Sequence, residues 1–220
     1  MRAVNEMRGL RYPDEYVVRM FFKEQLDKRA GRVLELGCGS GNNLCLFRAY
    51  GWSVCGVDIN AESLNDARHN LGEEGTELIQ CDLSNGVPRL DASFDCILLP
   101  SVNYYIPRTA FTRLLRALRA HCRKGTLLYL RSRLPDDWRY GRGTLVEADG
   151  FRLTCQETGE LGLLNVFYSE NALRATVAAE FSQLDDVRSL HVRYDNLQSN
   201  EVIRNSDLVI WGRATGWDAG

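Results

Sequence analysis

From Val33 onward, short apolar runs alternate with stretches in which apolar residues recur every three or four positions. V-L-E-L (33–36), S-V-C-G-V-D (53–58), E-L-I-Q-C-D (77–82), F-D-C-I-L-L (94–99) and T-L-L-Y-L (126–130) read as strands. Between the first two, N-N-L-C-L-F-R-A-Y suits a helix of a few turns. Ala61, Leu64, Ala67 and Leu71 then recur at helical spacing behind Asn60, a residue whose side chain caps helix starts. Phe111, Leu114, Leu115 and Leu118 mark the next helix, which stops near Gly125. Nearly continuous apolar strands separated by helices predict a parallel sheet covered on both faces.

The last third changes pattern. Residues 143–156 read as a hairpin turning at Ala148-Asp149-Gly150, with a further turn at G-E-L-G (159–162). Helical spacing returns at Leu173, Val177 and Phe181 behind Ser169, and S-L-H-V-R-Y (189–194) and D-L-V-I-W-G (207–212) predict two closing strands. The expected fold is therefore α/β: a seven-stranded, mostly parallel, doubly wound sheet with a β-hairpin insertion after the fifth strand. Residues 1–220 read as a single domain with a cap segment at 1–30. The stretch 131–168 is too long for a mere connection and reads as a lid or interface.

Composition narrows the partners. With 45% hydrophobic and 25% charged residues the chain is that of an ordinary globular protein. A net charge of −2 with no basic stripe argues against a nucleic-acid substrate. No apolar run is long enough for a membrane span and the N-terminus lacks the apolar core of a signal peptide, so the expected location is the cytoplasm, with no membrane partner. Seven cysteines without a C-x-x-C pair, and three histidines far apart, predict reduced thiols and no metal.

The chemistry is concentrated at V-L-E-L-G-C-G-S-G (33–41). In an open parallel sheet ligands bind beyond the carboxyl ends of the strands, where the winding reverses, and the first strand runs straight into these glycines. The dinucleotide fingerprint G-x-G-x-x-G fails here because Asn42 stands at its last glycine, which disfavours a nicotinamide dehydrogenase. The pattern E-x-G-x-G-x-G instead resembles the nucleoside-binding turn of the class I S-adenosylmethionine-dependent methyltransferases, whose sheet is the Rossmann-like methyltransferase fold. Asp58, in G-V-D-I-N, stands where that family carries an acid that accepts both ribose hydroxyls; Asp82, in Q-C-D-L, stands where another receives the adenine amino group. F-D-C-I-L-L-P-S-V-N-Y-Y and K-G-T-L-L resemble the family's fourth strand and the turn into its fifth. Over about positions 30 to 130, the resemblance implies S-adenosylmethionine as cofactor, held by Glu35, Gly37, Cys38, Gly39, Gly41, Asp58, Ile59, Asp82, Leu83, Leu99 and Ser101.

Helix-cap roles for Asp58 and Asp82, and a loop-bonding role for Glu35, stand beside these readings. The catalytic half is fainter, because the sulfonium is already activated and placement supplies much of the acceleration. Candidate acceptor residues are Tyr12 and Tyr16 in the cap segment, Asn103, Tyr104 and Tyr105 after the fourth strand, and Trp138 in the insertion. Arg133, Arg139, Tyr140 and Arg142 offer a grip for an anionic or sugar-like acceptor, and His191 a base on a surface strand. The N-P-P-Y sequence of methyltransferases acting on nucleic acid bases or glutamine is absent. The expectation is methyl transfer to a small molecule, such as a natural-product or surface-glycan intermediate; a protein methyltransferase or an idle binding subunit are the alternatives, and a homodimer is compatible with each.

Overall fold

The computed structural model describes residues 4–198 and 200–216. Seven strands form one sheet: β1 (Arg32–Leu36), β2 (Ser53–Asp58), β3 (Thr76–Gln80), β4 (Cys96–Pro100), β5 (Leu127–Arg133), β9 (Leu184–Gln198) and β10 (Glu201–Ala214), in the order β3-β2-β1-β4-β5-β10-β9. The first five run parallel, while β10 is antiparallel to both β5 and β9. Winding reverses between β1 and β4, which opens a crevice at their carboxyl ends.

Strand side chains alternate between two cores. Leu34, Leu36, Val57, Ile97, Leu99 and Leu130 face one side, packed by α4 (Arg108–Leu118) and α5 (Glu170–Glu180). Val33, Val54, Leu98 and Tyr129 face the other, against α1 (Glu15–Lys23), α2 (Asn42–Ala49) and α3 (Ala61–Leu71). Asp14, Asn60 and Ser169 cap α1, α3 and α5 through their side-chain oxygens, which satisfies amides the helices leave open. No helix connects β3 to β4; Leu83, Leu90 and Phe94 anchor that crossover instead.

The insertion exceeds the expected hairpin. β6 (Gly143–Glu147) and β7 (Gly150–Leu153) are joined across Ala148 and Asp149, and β8 (Leu164–Val166) adds a third strand. The two closing strands are also far longer than the apolar cores at 189–194 and 207–212, because β9 is an edge strand whose residues are mostly exposed. Arg108 fastens the insertion to the start of α4, donating to the Ala148 carbonyl at 2.9 Å and to that of Phe167 while stacking on Tyr168 at 4.2 Å.

Residues 8–14 cross the glycine turn as a strap. The Leu10 N–H donates to Ser40 Oγ at 3.0 Å, Asn42 Nδ2 donates to the Tyr12 carbonyl at 2.9 Å, and the Asp14 N–H donates to Asn43 Oδ1 at 2.8 Å. Asn70 of α3 adds bonds in both directions with the Arg8 backbone, each 2.9 Å.

Candidate active site

Gly37, Gly39 and Gly41 all have positive φ, so the chain leaves β1, doubles back and enters α2 within five residues. The N–H groups of Gly37 and Cys38 are tied to the Val57 carbonyl at 2.7 and 3.0 Å, which pins the turn against β2. A Cβ on Gly39 would meet nothing within 4 Å, leaving bare main chain for a ligand. Gly41 differs: its Cβ would lie 3.0 Å from Leu71 Cδ1 and 3.3 Å from Ala67 Cβ, so this glycine lets α2 approach α3. Gly41→Ala should therefore cost about 1–2 kcal/mol in urea unfolding, from left-handed strain and overpacking, with S-adenosylhomocysteine affinity unchanged.

A cavity of about 470 Å³ opens over the crevice. Gly37, Asp58, Ile59, Asp82, Leu83 and Ser101 of the expected cofactor set line it, and so does Tyr105. Val102, Ile106, Leu163 and Leu164 complete its apolar wall, the last two brought by the insertion. Nothing local in the sequence marks these four. Ser101 has φ +67°, backbone strain of the kind that gathers at functional sites.

Asp58 accepts the Gly39 N–H on Oδ2 at 2.8 Å and the Asn60 N–H on Oδ1 at 2.9 Å. Each oxygen keeps acceptor capacity toward the cavity. Asp82 bonds the Ser84 N–H and hydroxyl on Oδ1, 2.9 and 2.7 Å, and Asn85 Nδ2 on Oδ2 at 3.0 Å. The Ser84 hydrogen bonds hold its carboxyl below the usual range. Ile59, 61% exposed, presents an apolar face at the rim.

Glu35 lies behind the turn, 1% exposed. Asn43 Nδ2 donates to its Oε1 at 2.7 Å, and Oε2 has no partner. Burial pushes this carboxyl up to about 8, opposed by the Asn43 hydrogen bond and reinforced by Asp14 and Asp58. Cys38 is buried beside it, its thiol also pushed up by burial. Leu99 alternates into the α4/α5 core rather than the cavity wall.

Among the acceptor candidates, Tyr105 donates its hydroxyl to Glu160 Oε1 at 2.7 Å, and burial foremost raises its phenol. Tyr104 is buried under the Arg133 guanidinium, 4.2 Å from its ring. Asn103 is fully buried on Ser132 Oγ at 2.7 Å, with its own Oδ1 unpartnered. Tyr16 is half-buried with Arg131 5.6 Å over its ring; Tyr12 is 71% exposed; Trp138 is covered by Arg142 at 3.9 Å. Of these six candidates Tyr105 alone lines the cavity.

The expected cationic grip is occupied internally. Arg133 pairs with Glu160 at 2.9 Å and bonds Asn165, while Arg139 pairs with Asp137 at 3.0 Å and with Glu160. Arg131 pairs with Asp14 and Asp207, both at 2.6 Å. His191 lies at the outer edge, bonded to Glu170 at 2.7 Å. Among the described residues there is no group of three His, Cys, Asp or Glu suited to a metal, and no helix is long and apolar enough to cross a membrane.

A methyltransferase-domain family model matches residues 6–198. The chain belongs to this methyltransferase family. It is similar to an 18S rRNA (guanine-N(7))-methyltransferase of Schizosaccharomyces pombe, 35% identical over 66 residues that are 30% of this chain and 24% of that protein. It is also similar to a fatty-acid O-methyltransferase of Mycolicibacterium smegmatis, 32% identical over 99 residues, 43% of this chain and 36% of that protein. The matches thus span about a quarter to a third of those relatives. A solved S-adenosylmethionine-dependent methyltransferase of Methanosarcina mazei shares the fold at TM-score 0.66 and 20% identity, over 86% of this chain and 94% of its own. Other structures of this fold hold S-adenosylmethionine or S-adenosylhomocysteine. S-adenosylmethionine is the cofactor that the sequence resemblance implies for this chain. The residues present suit it: an open glycine turn, an unpartnered buried carboxylate oxygen for an ammonium group, and Asp58 with acceptor capacity to spare.

Proposed function

We propose that this methyltransferase acts on a small molecule with an apolar body, through a nucleophile that is already unprotonated near neutral pH, with a carboxylate as the simplest case. The observation that carries the reading is the cavity's far wall: Val102, Ile106, Leu163 and Leu164 are apolar, and the nearby arginines are neutralised by Glu160, Asp137, Asp14 and Asp207. In this reading Asp58 receives the ribose hydroxyls, Asp82 and Leu83 the adenine edge, Ile59 its face, and Glu35 the amino acid tail.

Bound there, the cofactor supplies a methyl group on a positively charged sulfur. The chain's residues hold the partners in line and exclude water, which is worth much of the barrier when the geometry is fixed. Apolar surroundings favour attack by an anion, because opposite charges cancel as the new bond forms and a medium that solvates the separated ions poorly lowers that barrier. In this reading the two wall carboxylates, Asp58 and Asp82, are taken up by the cofactor, and Glu160 behind Tyr105 is a poor base: against its burial it is held at about 2, chiefly by Arg133, and it accepts the phenol hydrogen bond without taking the proton. The fatty-acid O-methyltransferase relative supports the same class of acceptor. The net charge of −2, with Lys and Arg scattered among acids along the sequence, weighs against nucleic acid.

Chain-matched probes test this. With saturating cofactor, decanoate should yield S-adenosylhomocysteine and methyl ester, whereas decanol and acetate should yield neither. Product from decanol or decylamine alone, or none from any fatty acid between hexanoate and palmitate, overturns the acceptor reading.

A further inference from the structure

A carboxylate enclosed by protein must find a counter-charge, several hydrogen bonds, or a proton. Among the described residues Glu35 has no cation beside it. Its single donor is the Asn43 amide, whose orientation is fixed because Asn43 Oδ1 accepts the Asp14 N–H. Oε2 is therefore the bare oxygen, and it is where a proton must sit if the group is neutral.

The groups around Glu35 add to the pressure. Asp14, ahead of α1, and Asp58, at the end of β2, are both acidic. Cys38 in the turn, Cys45 on α2 and Cys96 on β4 are neutral thiols raised mainly by burial. Arg131 on β5 offers Glu35 no relief, being engaged by Asp14 and Asp207. Tyr16 on α1 is a neutral phenol.

We propose that Glu35 carries a proton in the unliganded protein and releases it when the cofactor's ammonium group arrives, so that cofactor binding expels one proton at neutral pH. The proposal rests on the reading that the amino acid tail lies against Glu35. The exchange is balanced: the O–H bond at Oε2 breaks, the proton passes to buffer, and the carboxylate formed is matched by the incoming ammonium, which keeps its own protons. The sign follows. With the unliganded carboxyl near 8 and the liganded one lower, protons leave on binding below that value, and affinity rises with pH.

Calorimetry with S-adenosylhomocysteine at about pH 7, in phosphate and in Tris, counts those protons through the difference in apparent heat; about one released per cofactor is expected, and about a tenfold gain in association constant per pH unit between about pH 6 and 7.5. 5′-Methylthioadenosine, which lacks the amino acid tail, should bind with no proton release and little pH dependence. Glu35→Gln, shown folded by thermal unfolding, should bind S-adenosylhomocysteine without release and lose the slope. Binding of S-adenosylhomocysteine without proton release in the native protein overturns the coupling and leaves the site standing. Failure of both compounds to bind overturns the site and the coupling together.

Discussion

Asp58→Ala should weaken S-adenosylhomocysteine binding by about 100-fold in calorimetric titration. A hydrogen bond to a charged group contributes about 1.5–3 kcal/mol, and even partial loss of two such bonds reaches about 2.7 kcal/mol, or two decades in Kd. The same side chain holds the Gly39 and Asn60 amides, so its removal also loosens the turn that faces the ligand. 5′-Methylthioadenosine carries the same ribose and should lose affinity in parallel. Asp58→Asn, which keeps one acceptor oxygen, should recover part of it. A Kd within about threefold of the native value would remove the ribose role from Asp58.

Arg133→Met should lower stability by about 3 kcal/mol, the low end for breaking a buried pair, because Arg139 and Tyr105 remain as partners of Glu160. For a chain of this length that corresponds to a fall in Tm of roughly 10 °C. Arg133 is 7% exposed, pairs with Glu160, bonds Asn165 and covers the Tyr104 ring, so its loss unfastens the insertion from the sheet. Cleavage by trypsin at Arg152 should accelerate before global unfolding. The pH dependence has a definite sign: Glu160 is depressed to about 2 from 4.5, so the native protein keeps this stabilisation above about pH 4.5 and loses it as pH falls towards 2. The variant should lose part of that acid-limb dependence, since Arg139 and Tyr105 still hold Glu160 down. An unchanged Tm and cleavage rate would show that the network contributes little.

The parallel half of the sheet was readable because β1, β2, β4 and β5 are buried on both faces and their sequences are almost unbroken apolar runs. The glycine turn was readable because backbone requirements leave a local trace. β9 was read too short because an edge strand exposed along most of its length carries D-D-V-R-S and D-N-L-Q as readily as a loop does. β8 has three residues and takes its existence from β7.

The site divided the same way. Asp58, Ile59, Asp82 and Leu83 lie at or just beyond strand ends and could be found by position. Leu163 and Leu164 reach the cavity from more than 100 residues beyond Asp58, and only the folded insertion brings them there. Arg133 and Arg139 advertised an anion grip, but Glu160, some 20 to 30 residues further along the chain, was waiting for both. Charge type is visible in a sequence; whether a charge is already spoken for is not.

The tethers from Ser40, Asn42 and Asn43 have a mechanical consequence. These residues directly follow the glycines and grip residues 10–14, so floor and doorstep on that side form one rigid piece. The wall that Leu163 and Leu164 supply is held separately, through the insertion that Glu160 joins to Arg133 and Arg139.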